Sequence, residues 1–237
     1  MRAMPKQNLR PAPASGPIRV RRGYFECRYG QLHVHNAMPP GGGFEEGTPL
    51  LCLHDLPGSG RSFVPFLALA GRERSVYAPD LPGFGESDPS PTVAPLADYV
   101  AAVGDFLDTM RLRRVDLVGV RSGALLAAEL ALTRGTQVGR LVWVSAPLGG
   151  APAPADSPSW QRAINEGLAR YPARERLSQL TQKLLVLRPR DDQWEATGRV
   201  REFVPSARVI EVELPGRELL AAAPERMFDA VRDFLRG

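Results

Sequence analysis

Residues Gly119-Val120-Arg121-Ser122-Gly123 stand between a strand-type run, Val115-Asp116-Leu117-Val118, and a strongly apolar helical stretch. A strand, a sharp turn and a helix around the pattern G-x-S-x-G make a nucleophile elbow, which holds its central serine on a strained turn. Here the central residue is Arg121, and a guanidinium with a pKa above about 12 neither attacks nor accepts a proton near neutral pH. Ser122 is one step along, but at a helix start that step turns a side chain by about 100°. It reads as an N-terminal helix serine that satisfies backbone donors, and hydrolysis through it is an outlying reading. The only histidines are His33, His35 and His54. His33 and His35 fall in an N-terminal hairpin and are expected to be solvated.

The 237 residues, 43% hydrophobic and 24% charged, are enough to bury the core of one globular domain. No apolar run reaches membrane-spanning length, and the stretch Met1 to Arg22 is rich in Pro and Arg without an apolar segment. Neither a membrane span nor a secretory signal is expected. Cys27 and Cys52 both fall in strand-type runs and read as two buried thiols, which fits a reducing cytoplasm. The basic pI, near 9.4, comes almost wholly from arginine, since Lys6 and Lys183 are the only lysines. The arginines are dispersed among acids rather than gathered into a stripe, so nucleic acid is not an expected partner. No cofactor or metal is expected.

From about Thr48 onward strand-type and helical patterns alternate. Strands are predicted at Leu50–Leu53, Val76–Ala78, Val115–Val118, Leu141–Val144, Leu184–Leu187 and Val209–Val212. Leu96, Tyr99, Val100, Val103, Phe106, Leu107 and Met110 form a helical stripe, and Met227, Ala230, Val231, Phe234 and Leu235 form another. Ala124 to Leu132 is apolar nearly all round and should lie within the protein. This alternation predicts an α/β fold, a mainly parallel twisted sheet with helices on both faces. Tyr24–Arg28 and Gln31–His35, around Tyr29-Gly30, predict an antiparallel hairpin added at the sheet edge. Residues 36–48 read as a loop and residues 1–17 as a disordered tail, which leaves 18–237 as one domain.

Three segments resemble the α/β-hydrolase superfamily: His54-Asp55-Leu56-Pro57-Gly58, like its His-Gly-x-Pro turn; Ala78-Pro79-Asp80-Leu81-Pro82-Gly83-Phe84-Gly85-Glu86-Ser87-Asp88, like the end of its next strand; and the elbow itself. The ending Gly216-Arg217, followed by Ala223-Pro224-Glu225 and an amphipathic helix, is also similar. The resemblance covers roughly residues 20–236 apart from 148–181, where the family inserts a cap. It implies an α/β-hydrolase fold with a reduced cap, and the residues of that stretch themselves offer one amphipathic helix, Trp160, Ile164, Leu168 and Tyr171, and a second short one near Leu177 and Leu180.

The resemblance also assigns positions. The family needs a nucleophile, a histidine and an orienting carboxylate. Arg121 stands at the nucleophile and Arg217 at the histidine, while Asp191-Asp192 keep acid at the third position, Asp192 fitting better by its offset from Pro189. The triad is therefore read as degenerate. The oxyanion donors map to the backbone N–H groups of Ser122 and Leu56, and Asp55 replaces the turn's glycine. His54 takes a position that usually supports the loop.

Two readings of the arginines remain open. Arg121 and Arg217 could pair with Asp55 and Asp192 in a closed ionic network, or clamp a carboxylate or phosphate of a small anionic ligand. The leading expectation is an inactive or impaired member that binds a small molecule, a protein partner or a second copy of itself, with Asp55, Leu56, Arg121, Ser122 and Arg217 at the ligand. The rival is an enzyme of small-molecule metabolism acting on an anionic substrate by triad-independent chemistry.

Overall fold

Short runs of branched apolar residues become strands, and the two-residue period within each run sends alternate side chains to opposite faces of the sheet. The computed structural model describes residues 18–40, 47–90, 95–149 and 156–237. The predicted tail, 1–17, lies outside the described residues, as do residues 41–46 of the predicted loop and 150–155 of the predicted cap. Eight strands form one sheet: β1 (Arg21–Cys27), β2 (Gly30–Ala37), β3 (Leu50–Leu53), β4 (Val76–Pro79), β5 (Val115–Val120), β6 (Val138–Val144), β7 (Lys183–Pro189) and β8 (Arg208–Val212). Their order is β1-β2-β4-β3-β5-β6-β7-β8. The pairs β1–β2 and β2–β4 are antiparallel, and every later pair is parallel.

Nine helices are described: α1 (Val64–Ala70), α2 (Leu96–Thr109), α3 (Ser122–Arg134), α4 (Ser159–Ala169), α5 (Ala173–Leu177), α6 (Trp194–Gly198), α7 (Val200–Phe203), α8 (Gly216–Ala221) and α9 (Pro224–Arg236). Leu51, Leu53 and Leu117 enter one core cluster with Tyr99, Val103 and Phe106 of α2 and the buried face of α3. Their neighbours Leu50, Cys52 and Val118 point the other way, into a second cluster with Phe66 and Leu67 of α1, Leu219 of α8 and Met227 and Val231 of α9. Helices thus cover both faces, as the alternation of patterns predicts. Nine of the thirteen residues of α3 are buried, which accounts for a helix with almost no polar face.

The cap is built of α4 and α5. It is tied to the sheet layer by Glu129 of α3, which accepts hydrogen bonds from Tyr171 Oη (2.7 Å) and from Arg176 Nε and Nη2 (2.9 and 2.7 Å). No helix among the described residues is long and apolar enough to cross a membrane.

Two expectations need correction. His33 and His35 are not solvated: they are 1% and 8% exposed, because β2 lies between β1 and β4 rather than at the outer edge of the sheet, and the loop after β4 covers their face. Cys52 is buried, but Cys27, at the end of β1, is only partly so; both thiols are free.

Candidate functional site

The carboxyl ends of β3, β5 and β7 converge on Arg121. The chain leaves β5 and turns into α3 at this residue with φ 52° and ψ −119°, a left-handed conformation that costs a non-glycine residue about 1–3 kcal/mol. The flanking glycines make the turn feasible. A Cβ on Gly119 would collide with the backbone of Gly123 and Ala124, and one on Gly123 would collide with the Leu53 carbonyl. The turn is pinned by the Arg121 N–H, which donates to the Val144 carbonyl at 2.8 Å.

From this turn the guanidinium reaches two carboxylates. Its Nη1 and Nη2 donate to the two oxygens of Asp192 at 2.8 and 2.6 Å, a parallel pair of charge-assisted bonds, and Nε lies 3.0 Å from Asp55 Oδ2. The Arg121 fork holds Asp192 well below the usual carboxylate range, and the bond to Asp192 raises Arg121 in turn. At the N-terminus of a helix a cation is misplaced with respect to the helix dipole, and these two acids offset it.

Asp55 does more than balance charge. Its Oδ1 accepts from the Ser122 N–H (3.2 Å), the Ser122 hydroxyl (2.8 Å) and the Leu56 N–H (2.9 Å). The Ser122 hydroxyl itself accepts from Leu56 N–H at 2.7 Å. One carboxylate oxygen therefore sits on both backbone donors that an oxyanion would use. Burial raises the pKa of Asp55, while the Ser122 hydroxyl and Arg121 pull against that rise. Ser122 is 1% exposed, and its hydroxyl is spent within this network.

His54 is a structural residue. Its Nδ1 donates to the Asp55 carbonyl (2.7 Å) and its Nε2 accepts from the Leu81 N–H (2.9 Å), which fixes the neutral tautomer. Full burial pushes its pKa down to about 4.

The other acid of the pair takes a separate position that the sequence did not reveal. Asp191 Oδ2 accepts from Ser145 Oγ (2.6 Å) and Gly216 N–H (3.3 Å), and Oδ1 from Gln193 N–H (3.0 Å). Ser145 directly follows β6, with φ 54°. The only sequence sign of this pair was the doubling of aspartate at 191 and 192. Arg217 follows Gly216 in the first turn of α8, and its side chain lies outside the described residues. The structure thus brings together Asp55, Leu56, Arg121, Ser122 and Asp192, and places the backbone of Arg217 one residue from the group bonded to Asp191.

A cavity of about 280 Å³ opens beside this network, lined by Asp55, Arg121, Ser145, Asp191, Gly216 and Leu220 among others. Pro57 and Gly58 also line a larger one, about 650 Å³, walled by Phe84, Tyr99, Trp160 and Ile164. The two adjoin at Pro57 and Gly58, a polar part beside the elbow and an aromatic part that the cap helix α4 walls through Trp160 and Ile164. The described charges facing the polar part are two carboxylates against one guanidinium.

Comparison with known proteins places this geometry. The sequence profile of the alpha/beta hydrolase family matches residues 50–236. A 96-residue stretch is 28% identical to (E)-2-((N-methylformamido)methylene)succinate hydrolase of Acinetobacter baylyi; it makes up 40% of this chain and only 36% of that protein. Among solved structures, the enol-lactonase of Burkholderia xenovorans superposes with a TM-score of 0.76 at 15% identity, over 91% of this chain and all of that one. A thermophilic esterase of Thermogutta terrifontis, with malate bound, does so with a TM-score of 0.74 at 17% identity, over 91% and 98%. At these identities the structural likeness speaks for the fold alone. The profile, matched across most of the sequence, goes further: this chain belongs to the alpha/beta hydrolase family.

Proposed function

We propose that this chain is a non-hydrolytic member of the family that binds a small molecule in the cleft under its cap. The observation that carries this reading is Asp55 Oδ1, which accepts from the N–H groups of both Ser122 and Leu56. An acyl-transfer enzyme needs those donors aimed at an oxygen that becomes charged only in the transition state. A fixed carboxylate there repels a second anion and leaves no donor for it. The residue at the elbow, Arg121, cannot attack, and Ser122 holds its hydroxyl on Asp55.

The same network argues for the ligand's chemistry. Arg121 is already engaged by Asp55 and Asp192, so an anion clamp would rest on Arg217 alone. The carboxylates of the polar cavity favour a neutral or cationic head group, and the aromatic wall of Phe84, Tyr99 and Trp160 favours an apolar body.

The test is hydrolysis of p-nitrophenyl acetate and butyrate. The unaltered protein is expected to show no turnover above buffer, and robust turnover abolished by Ser122→Ala would overturn the reading. The double variant Arg121→Ser, Arg217→His should remain inactive while Asp55 fills the donors. Adding Asp55→Gly should raise its rate by about 10²-fold or more, the usual worth of an oxyanion donor.

A further inference from the structure

A second polar centre lies on the hairpin side of the sheet, apart from the elbow. In the register of β1 on β2, Tyr24 stands opposite His33 and Arg22 opposite His35. Leu32 and Val34 point into the core, so these four side chains share the other face. His33 Nδ1 lies 2.9 Å from Asp80 Oδ2, and the buried Asp80 carboxylate also accepts from the N–H groups of Gly60 (2.6 Å) and Glu86 (2.9 Å). With the carboxylate accepting throughout, the proton of the first bond belongs to Nδ1, and the neutral ring presents a lone pair at Nε2. That nitrogen, on a residue 1% exposed, has no hydrogen-bond partner among the described residues. Leaving a buried polar atom so is costly. Yet His33 lines a cavity of about 610 Å³, from which a ligand can supply the partner.

The other walls of this cavity are basic. Arg19, Arg21, Arg22 and Tyr24 line it against one acid, Glu86. Of the three arginines only Arg22 has an acid within ion-pair distance among the described residues, and its link to Glu86 is 3.6 Å long between two side chains more than half exposed. A surface pair of that kind is weak. Tyr24 Oη donates to Glu86 Oε2 at 3.1 Å, and the same oxygen stops 3.9 Å from His33 Nε2, too far for a hydrogen bond. Arg22 and Tyr24 therefore already receive a carboxylate, and turning Glu86 toward solvent presents both of them to a ligand. An excess of guanidinium groups favours an oxyanion. The lone pair on Nε2 favours an oxyanion that still carries a hydrogen. A phosphate monoester, with a second pKa of about 6, offers both near neutral pH, whereas sulfate offers charge alone.

We propose that this cavity binds the phosphate group of a small soluble phosphate monoester, whose P–O–H donates to His33 Nε2 while its other oxygens accept from Arg22, Tyr24 and the adjoining Arg19 and Arg21. Asp80 fixes the His33 ring from behind as a positioning residue. Glu86 is the internal competitor, since it occupies Arg22 and Tyr24 until the ligand displaces it. The volume is that of a pocket for a small molecule.

The test is calorimetric titration of the full-length protein at about pH 6.5, where a monoester holds its last hydrogen in part, with glycerol 3-phosphate and, for comparison, sulfate. One equivalent of glycerol 3-phosphate should bind, about tenfold or more tighter than sulfate, because a site built to share a hydrogen bond rejects the analogue without it. Arg22→Gln should weaken binding by about tenfold, the loss of one charge-assisted pair. Glu86→Gln should tighten it, a gain that a purely structural role for Glu86 does not produce. Both substitutions fall on exposed side chains. No saturable binding below about 1 mM, sulfate bound as tightly as the monoester, or an affinity unchanged in Arg22→Gln would overturn the proposal. So would binding to phosphatidate vesicles with none to glycerol 3-phosphate.

Discussion

Two histidines flank the loop after β4, and the loop serves both: the Leu81 N–H donates to His54, and the neighbouring Asp80 carboxylate receives His33. At His54 both ring nitrogens are used by backbone groups, which closes the ring into the scaffold. At His33 one nitrogen is fixed and the other has no hydrogen-bond partner among the described residues. The same contrast holds for the carboxylates. Asp55 and Asp192 are bound on both oxygens by the elbow network, whereas Glu86, held by Tyr24 and Arg22, stops 3.9 Å short of His33 Nε2. Packing and hydrogen bonding account fully for the first region. In the second a buried ring nitrogen has no hydrogen-bond partner among the described residues, a cost a stable fold ordinarily avoids.

The sharpest way to break this comparison is to remove the residue that stands between the two regions. Asp80→Ala would strip acceptors from Gly60 N–H, Glu86 N–H and His33 at once, all around a carboxylate 1% exposed. Each buried donor left without its acceptor costs about 1–3 kcal/mol, and urea unfolding should show a drop of about 3 kcal/mol or more. A loss below about 1 kcal/mol would mean that the loop holds its shape without Asp80, and that the His33 arrangement is not imposed by the fold.

Next in size is an acid effect at His54. Its folded pKa, about 4, is below the unfolded value near 6.5. The unfolded chain therefore takes up a proton that the folded one refuses, and the stability present above pH 6.5 is lost as pH falls toward 4. Two and a half units correspond to about 3 kcal/mol. His35, lowered by burial and by His33 beside it, adds a loss of the same sign. Unfolding free energies measured between pH 7 and pH 4 should fall steeply, and His54→Gln should flatten most of that slope. A slope unchanged by the substitution would remove the view of His54 as a closed, neutral residue.

How far the sequence carries this contrast depends on where each residue gets its partners. The strands and the α2, α3 and α9 helices are written in local periodicity, and the structure has them at the expected places. The approach of Arg121 to Asp55 and Asp192 was legible because the family motif fixes the turn, and oppositely charged groups brought to one turn have few other partners. Burial of His33 and His35 was not legible. It depends on β2 lying between β1 and β4 and on the Asp80 loop folding over it, contacts made across about fifty residues. The Ser145–Asp191 bond was hidden for a similar reason, since it joins the ends of two parallel strands that no local pattern relates.

The smallest expected effect tests whether the elbow network is redundant. Asp192 is held below the usual carboxylate range by Arg121, so its contribution is present above a pH of about 3.8 and lost as pH falls further, through the folded value. That window lies below the one set by His54, so the two can be separated in a single pH series. The Asp192 side chain is 65% exposed, and solvent screening limits the pair to about 1 kcal/mol or less. Arg121 also keeps Asp55 at 3.0 Å when Asp192 loses its charge, and asparagine retains one acceptor. Asp192→Asn should therefore cost less than about 1 kcal/mol in urea unfolding at pH 7, and progressively less as pH falls below about 3.8, where the carboxylate becomes protonated in the unfolded chain. A cost at pH 7 matching that of Asp80→Ala would show that the elbow relies on a single ion pair. Closure there would then be as fragile as the arrangement around His33, and the distinction between the two regions would have to rest on the unpartnered nitrogen alone.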